Sequence, residues 1–212
     1  MTTAAVTPDH RAARERPEDP QHLSIADLPP AETHGSWAMA LAIATEALLF
    51  VSLFFAYFYV GHRHHPWPPH PPKLALALVL LVILLVSSGT MLGAEKLLAH
   101  GAFHKARALV GATVALAVVF LIVQAVEYRN HLRELGPTTN AYGSLFYAIT
   151  TFHTLHVVVG LLMLLFVLCV PKLKPSRSPH RPLRNAGLYW HFVDAIWIFV
   201  VVLLYVLPRW TS

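Results

Sequence analysis

Apolar residues dominate five stretches of this chain, about 37–60, 74–98, 106–128, 142–170 and 187–208, and polar residues collect between them. Each stretch supplies the roughly 20 apolar residues that a helix needs to cross a bilayer. The first contains a single charge, Glu46, and the part of the second from Leu74 to Ala94 contains none. From Leu135 to Pro171 there is no Asp, Glu, Lys or Arg, and Gly136-Pro137 breaks the run so that its helix begins near Tyr142. The fifth helix starts near Gly187 and ends before Pro208, with Trp210 as an interfacial anchor. Pro66, Pro68, Pro69, Pro71 and Pro72 keep the first loop, Gly61 to Lys73, out of helix. Short loops make successive helices antiparallel neighbours. The pattern therefore predicts an all-α integral membrane bundle of five transmembrane helices spanning 36–212. Residues 1–35 form a polar arm, expected to be flexible and, lacking an apolar segment near the start, to stay attached rather than act as a cleaved signal.

Composition sharpens this picture. With 56% hydrophobic and 13% charged residues and a mean hydropathy of +0.53, the chain is too apolar for a soluble domain of its size. The net charge of +5 would suit a nucleic-acid partner, but the basic residues lie between apolar runs rather than on one surface. They suit membrane orientation instead. Eleven of them, Arg11, Arg14, Arg16, Lys96, Lys105, Arg107, Lys172, Lys174, Arg177, Arg181 and Arg184, fall on one side, against Arg63, Lys73, Arg129, Arg133 and Arg209 on the other. By the positive-inside rule the N-terminus is cytoplasmic and the C-terminus outside. One cysteine, Cys169, excludes an internal disulfide and is expected as a packed thiol.

The candidate chemistry lies in ionisable residues at lipid depth, which persist only when they face protein, water or a counter-charge. His191 and Asp194 share a helix face three residues apart, about one to two turns into the fifth helix, and Trp190 and Trp197 flank them. Glu46 lies roughly 14 Å from the cytoplasmic end of its helix at about 1.5 Å per residue. Beside it Ala38, Ala42, Thr45, Ser52 and Ala56 form a small-residue stripe of the kind that lets helices approach. Glu46 is expected to bond across the bundle to His153 or His156, either as a polar clamp or as a group that handles protons. The two histidines, with Thr150 and Gly160, make a polar face on the fourth helix. Such a pair can ligate a metal or haem, but the remaining set, His191, Asp194 and Glu46, lacks the carboxylate pattern of a di-iron bundle, so no metal is expected. Gln124, Glu127 and Tyr128 read as a solvated cap on the third helix, with Glu127 paired to Arg129 or Arg133. His62, His64, His65 and His70 invite zinc, yet no cysteine or second cluster supports a built site.

Several of these fragments resemble subunit III of the haem-copper respiratory oxidases. They are Ala44-Thr45-Glu46 with Phe50 and Phe54-Phe55-Ala56-Tyr57-Phe58, then Gln124 to Glu127-Tyr128, then Tyr142-Gly143-Ser144 to Phe152-His153-Thr154-Leu155-His156-Val157, then Tyr189 to Trp197. They occur in the family's order and span roughly 36 to 208. The resemblance implies the bacterial five-helix form, corresponding to the last five helices of a seven-helix long form. It implies an accessory subunit of a proton-translocating oxidase in the bacterial cytoplasmic membrane, without a redox centre, supporting stability and proton uptake. Haem and copper would then belong to partners, namely the catalytic subunit I, subunit II and a small subunit, and a structural phospholipid could be held. Glu46 would match the family's carbodiimide-reactive glutamate, with His153, His156, His191 and Asp194 as the other buried polar positions. Gln124, Glu127, Tyr128, Trp190 and Trp197 would meet partner or lipid. Glutamate at position 46 points to the cytochrome c type. A ubiquinol oxidase, a nitric oxide reductase accessory subunit and, from another class, a stand-alone proton-coupled transporter remain as alternatives.

Overall fold

A computed structural model describes residues 32–63, 67–68, 74–134, 136–138, 140–169 and 180–211. Of the arm expected over 1–35, residues 1–31 lie outside the described set, as do the loop histidines His64, His65 and His70 and the side chains of Arg133 and Trp210, whereas 32–35 are helical. Backbone contacts divide the chain into two units, Met1–Gly35 and Ser36–Ser212; the bundle is the second. Among the described residues every element is helical: α1 (Glu32–Arg63), α2 (Leu74–Ala99), α3 (Phe103–Glu134), α4 (Ala141–Cys169) and α5 (His180–Val200). Beyond α5 come a π-helical turn, Val201–Val206, and a last helical turn, Leu207–Thr211. Five of the helices are long and apolar enough to span a membrane, as the sequence predicts.

The ends differ from expectation where polar residues extend a helix beyond its apolar core. The third helix runs on to Glu134 rather than 128, and the fifth begins at His180 rather than near Gly187. Pro182 is tolerated there because the first-turn N–H groups of a helix have no intrahelical acceptor. His191 and Asp194 consequently lie deeper than the one to two turns expected, His191 being roughly 16 Å along α5 at about 1.5 Å per residue. The π-helical turn has a local cause as well. Pro208 gives no N–H to the Leu204 carbonyl and its ring crowds that turn, and the Leu207 N–H bonds Val202 O instead.

Buried positions show how the helices pack. On α2 they are Ala77, Leu80, Leu84, Ser87, Met91, Ala94 and Leu98; on α3, Ala106, Val110, Thr113, Ala117, Phe120, Gln124 and Glu127. Both sets alternate steps of three and four, the spacing of a coiled-coil seam. Leu183, Ala186, Trp190, Val193, Trp197, Val200 and Leu204 continue the pattern on α5 and beyond. α2 is turned back onto α3 by Gly101 at φ 76°. The Ala102 N–H bonds Leu97 O at 2.9 Å and the Gly101 N–H bonds Leu98 O at 3.0 Å, which satisfies the last carbonyls of α2. α4 is capped by Asn140, whose Oδ1 accepts the Gly143 N–H at 2.7 Å.

α2, α3, α4 and α5 pack closely, whereas α1 keeps its backbone away from them and rests through a few side chains. Phe50 and Tyr57, seven apart, are its buried hydrophobic residues. The small-residue stripe does not bring α1 against its neighbours: Ala38, Ala42, Thr45 and Ser52 are exposed. Thr45 and Ser52 bond carbonyls of their own helix, Ala42 O and Leu49 O. Cys169 is likewise exposed rather than packed, because it falls at the last residue of α4.

Candidate functional site

The contact that ties α1 to the core is polar. Glu46 Oε2 lies 3.0 Å from His156 Nε2, so of the two partners expected for Glu46 it meets His156 and not His153. The imidazole is held between Phe50, edge-on at 5.0 Å, and Tyr189, stacked at 6.5 Å. Its Nδ1 lies 2.6 Å from the Phe152 carbonyl. A carbonyl only accepts, so Nδ1 carries a hydrogen. The Nε2 to Oε2 contact is then attractive only if a proton lies between them, either on the ring facing a carboxylate or on the carboxyl facing a neutral ring. The pair therefore holds one proton in either arrangement. The Glu46 side chain remains 38% exposed, the His156 side chain 9%, so one side of the pair is open at the surface of the chain.

His153, one turn earlier, is fully buried and serves differently. Its ring stacks on Trp197 at 4.7 Å, and Phe120 lies against both at 6.0 and 5.3 Å. Neither ring nitrogen has a hydrogen-bond partner among the described residues. On α5, His191 and Asp194 approach only to 4.0 Å; the closer partner of His191 is Ser88 on α2, at 2.7 Å from Nδ1. Asp194 also faces Ser88, short of a full hydrogen bond. One residue back, Ser87 accepts the Trp190 Nε1–H at 3.1 Å. The polar positions of α5 thus lean on the paired serines of α2. Thr90 extends this seam to Thr113 on α3 at 2.8 Å. Among the described residues no three His, Cys, Asp or Glu side chains converge.

With a glutamate to histidine bridge on one helix pair and a histidine and aspartate leaning on serines at another, the geometry can be set beside known proteins. The family model described as "Cytochrome c oxidase subunit III" matches residues 32–211. The chain belongs to that family. A Synechocystis protein named cytochrome c oxidase subunit 3 is 37% identical over 192 residues, covering 84% of this chain and 81% of its own. The subunit of the same name from Thermostichus vulcanus is 33% identical, covering 79% and 84%, and that of Anopheles gambiae 34%, covering 80% and 68%. Subunit III relatives are components of an oxidase complex, and this subunit is a multi-pass membrane protein of that kind.

Other predicted positions of the subunit fall differently. Gln124 and Glu127 are not a solvated cap: they are 1% and 8% exposed, because α3 continues past them. Glu127 faces the Tyr205 hydroxyl. Trp190 and Trp197 are 0% exposed and pack inside the bundle rather than on its surface. Tyr128 reaches Thr151 on α4 at 3.2 Å. Sequence reasoning passed over Ser87 and Ser88, whose small hydroxyls carry no signal until a partner is known. It also passed over Glu95. That carboxyl lies against Gly187, where any Cβ would collide with it, and within electrostatic reach of Arg184. Arg184 in turn donates to Ser36 Oγ at 2.7 Å, a polar tie of α1 to α5 beside its tie to α4.

Proposed function

We propose that this subunit supports a cytochrome c oxidase as its relatives' name describes, without a redox centre of its own. In this reading it docks on the catalytic subunit I beside subunit II, with a small subunit in the same complex. Haem and copper sit in those partners, while lipid, including a structural phospholipid, lies against this chain. The complex lies in a bacterial cytoplasmic membrane, with the N-terminus of this chain cytoplasmic and the C-terminus outside. The observation that carries the reading is the Glu46–His156 bridge at 3.0 Å. It holds one proton, spans the looser helix and the core, and leaves Glu46 partly exposed. Such a pair can take up a proton on one side as it releases one on the other, which suits a role in supplying protons to a neighbouring catalytic subunit.

Glu46→Gln separates the two roles of the bridge. The amide can still donate to a neutral His156 Nε2, so α1 stays docked, but the pair no longer has a carboxyl to share an acidic proton. In the assembled complex, proton uptake is expected to slow and inactivation during turnover to quicken, with this subunit retained. Uptake and turnover lifetime both equal to those of the unaltered complex would reject the reading.

A further inference from the structure

One end of the bundle, carrying the first loop and the last turn, gathers polar atoms that the hydrogen bonding of the fold leaves over. Buried and without a partner among the described residues are Gln124 Oε1 and Glu127 Oε2 on α3, Tyr205 Oη in the π-helical turn, Tyr142 Oη on α4, Tyr57 Oη on α1 and Trp67 Nε1 in the loop. Five of them, from Glu127 to Trp67, are neighbours in series. Glu127 faces Tyr205, and Tyr205 faces Tyr142. The Tyr142 ring lies 6.3 Å from that of Tyr57 and 5.3 Å from that of Trp67. Tyr57 and Trp67 then form a wall of an open cavity of about 480 Å³, lined also by Gly61, His62, Leu203 and Pro208.

Buried polar groups in stable folds are paired with protein or with ordered water. We propose that these side chains line a chain of bound water joining the Glu127 carboxyl to the open cavity beside the first loop. Glu127 thereby becomes a carboxyl that exchanges protons with that face of the membrane. The groups facing it are Tyr205 and, through Tyr205, Tyr142; Tyr128 and Tyr147 stand nearby. The Arg209 guanidinium is within electrostatic reach of Tyr142 and donates to the Tyr205 carbonyl, so a fixed positive charge borders the path. In each exchange a proton passes from the carboxyl oxygen to the adjacent water while a water at the mouth releases one to solvent. The reverse steps restore it. The site is distinct from the Glu46 bridge: Glu46 is eleven residues from Tyr57 on α1, roughly 16 Å at about 1.5 Å per residue. Water is the fitting ligand because the hydroxyls both donate and accept, whereas no cluster of carboxylates converges among the described residues.

A density map of the assembled oxidase fine enough to show water tests the placement directly. Ordered waters bridging Glu127, Tyr205 and Tyr142 are expected. Side chains bonded directly to one another with no water between them overturn the proposal, as does a single ion ringed by oxygens at about 2.3–2.6 Å. Exchange is read from the carboxyl infrared band that Glu127→Gln removes. In the otherwise unaltered complex this band is expected to follow a jump in bulk pH within the mixing time. In Tyr142→Phe with Tyr205→Phe, which keeps both rings and so the packing, the response slows by at least an order of magnitude. A band indifferent to bulk pH, or an unchanged rate in the double variant, overturns the proposal. If Glu127→Gln fails to assemble, the map and the tyrosine variants decide.

Discussion

Gly160→Ala places a methyl group where α4 packs tightly against Trp190 and Tyr189 of α5. A Cβ at this position would lie 2.9 Å from Trp190 Cε3, 3.0 Å from Cζ3 and 3.5 Å from Tyr189 Cδ1. Carbon atoms settle at about 3.5–4.0 Å, so the indole would have to retreat by about half an ångström or more. It has little freedom to do so, being fully buried and tied by Nε1 to Ser87 Oγ at 3.1 Å. Overpacking of this kind costs about 1–3 kcal/mol, and loosening the indole hydrogen bond adds about 1 kcal/mol. The better helix propensity of alanine returns about 1 kcal/mol. The net expectation is a loss of about 1–3 kcal/mol, or roughly 5- to 150-fold in the folded-to-unfolded ratio. The measurement is the half-life of the purified complex at raised temperature, followed by retention of this subunit. Trp190→Phe, made alone and with Gly160→Ala, completes the test, because the smaller ring opens space for the new methyl and the two costs should fall short of adding. A Gly160→Ala complex as durable as the unaltered one, or strictly additive effects, would refute the packing argument.

The remaining predictions concern single polar contacts. Ser88→Ala removes the 2.7 Å partner of His191 and leaves a half-buried ring facing Asp194 at 4.0 Å. About 1–2 kcal/mol should be lost, seen as a shorter half-life that Ser88→Thr largely restores; no change in Ser88→Ala would show the contact to be idle. Asn140→Ala removes the cap on the α4 N-terminus at a cost of about 0.5–2 kcal/mol, while Asn140→Asp keeps the acceptor and most of the stability. Equal thermal lifetimes for the alanine and aspartate variants would contradict that assignment.

The helices were legible because lipid-spanning length and charge-free runs survive any choice of partners. Their seams were not. Around α2 the outward positions Leu78, Val82 and Leu85 are as apolar as the inward Leu80 and Leu84, since hydrocarbon, unlike water, selects apolar residues on both faces. The three-and-four spacing is present in the chain but carries no contrast to reveal it. Polar residues were the better guide to the inside: Glu46, His153, His156 and Asp194 were singled out, and the Glu46–His156 contact was among the pairings expected. Gln124 and Glu127 misled because nearby arginines offered a plausible surface pairing, while the buried alternative, Tyr205, lies far along the sequence in a turn widened by Pro208. Ser88 and Glu95 depend on which α5 residues arrive opposite them, and that follows from packing rather than from any local pattern.

The claim on which the functional reading rests is that His156 keeps a hydrogen on Nδ1 for the Phe152 carbonyl and shares the proton at Nε2 with Glu46. Nitrogen-15 solid-state NMR of the assembled complex, with His156 identified by its loss in His156→Gln, tests this directly. A protonated Nδ1 is expected, with Nε2 alone responding to Glu46→Gln. A bare Nδ1 with the hydrogen on Nε2 in the neutral ring, unaffected by Glu46→Gln, would contradict it.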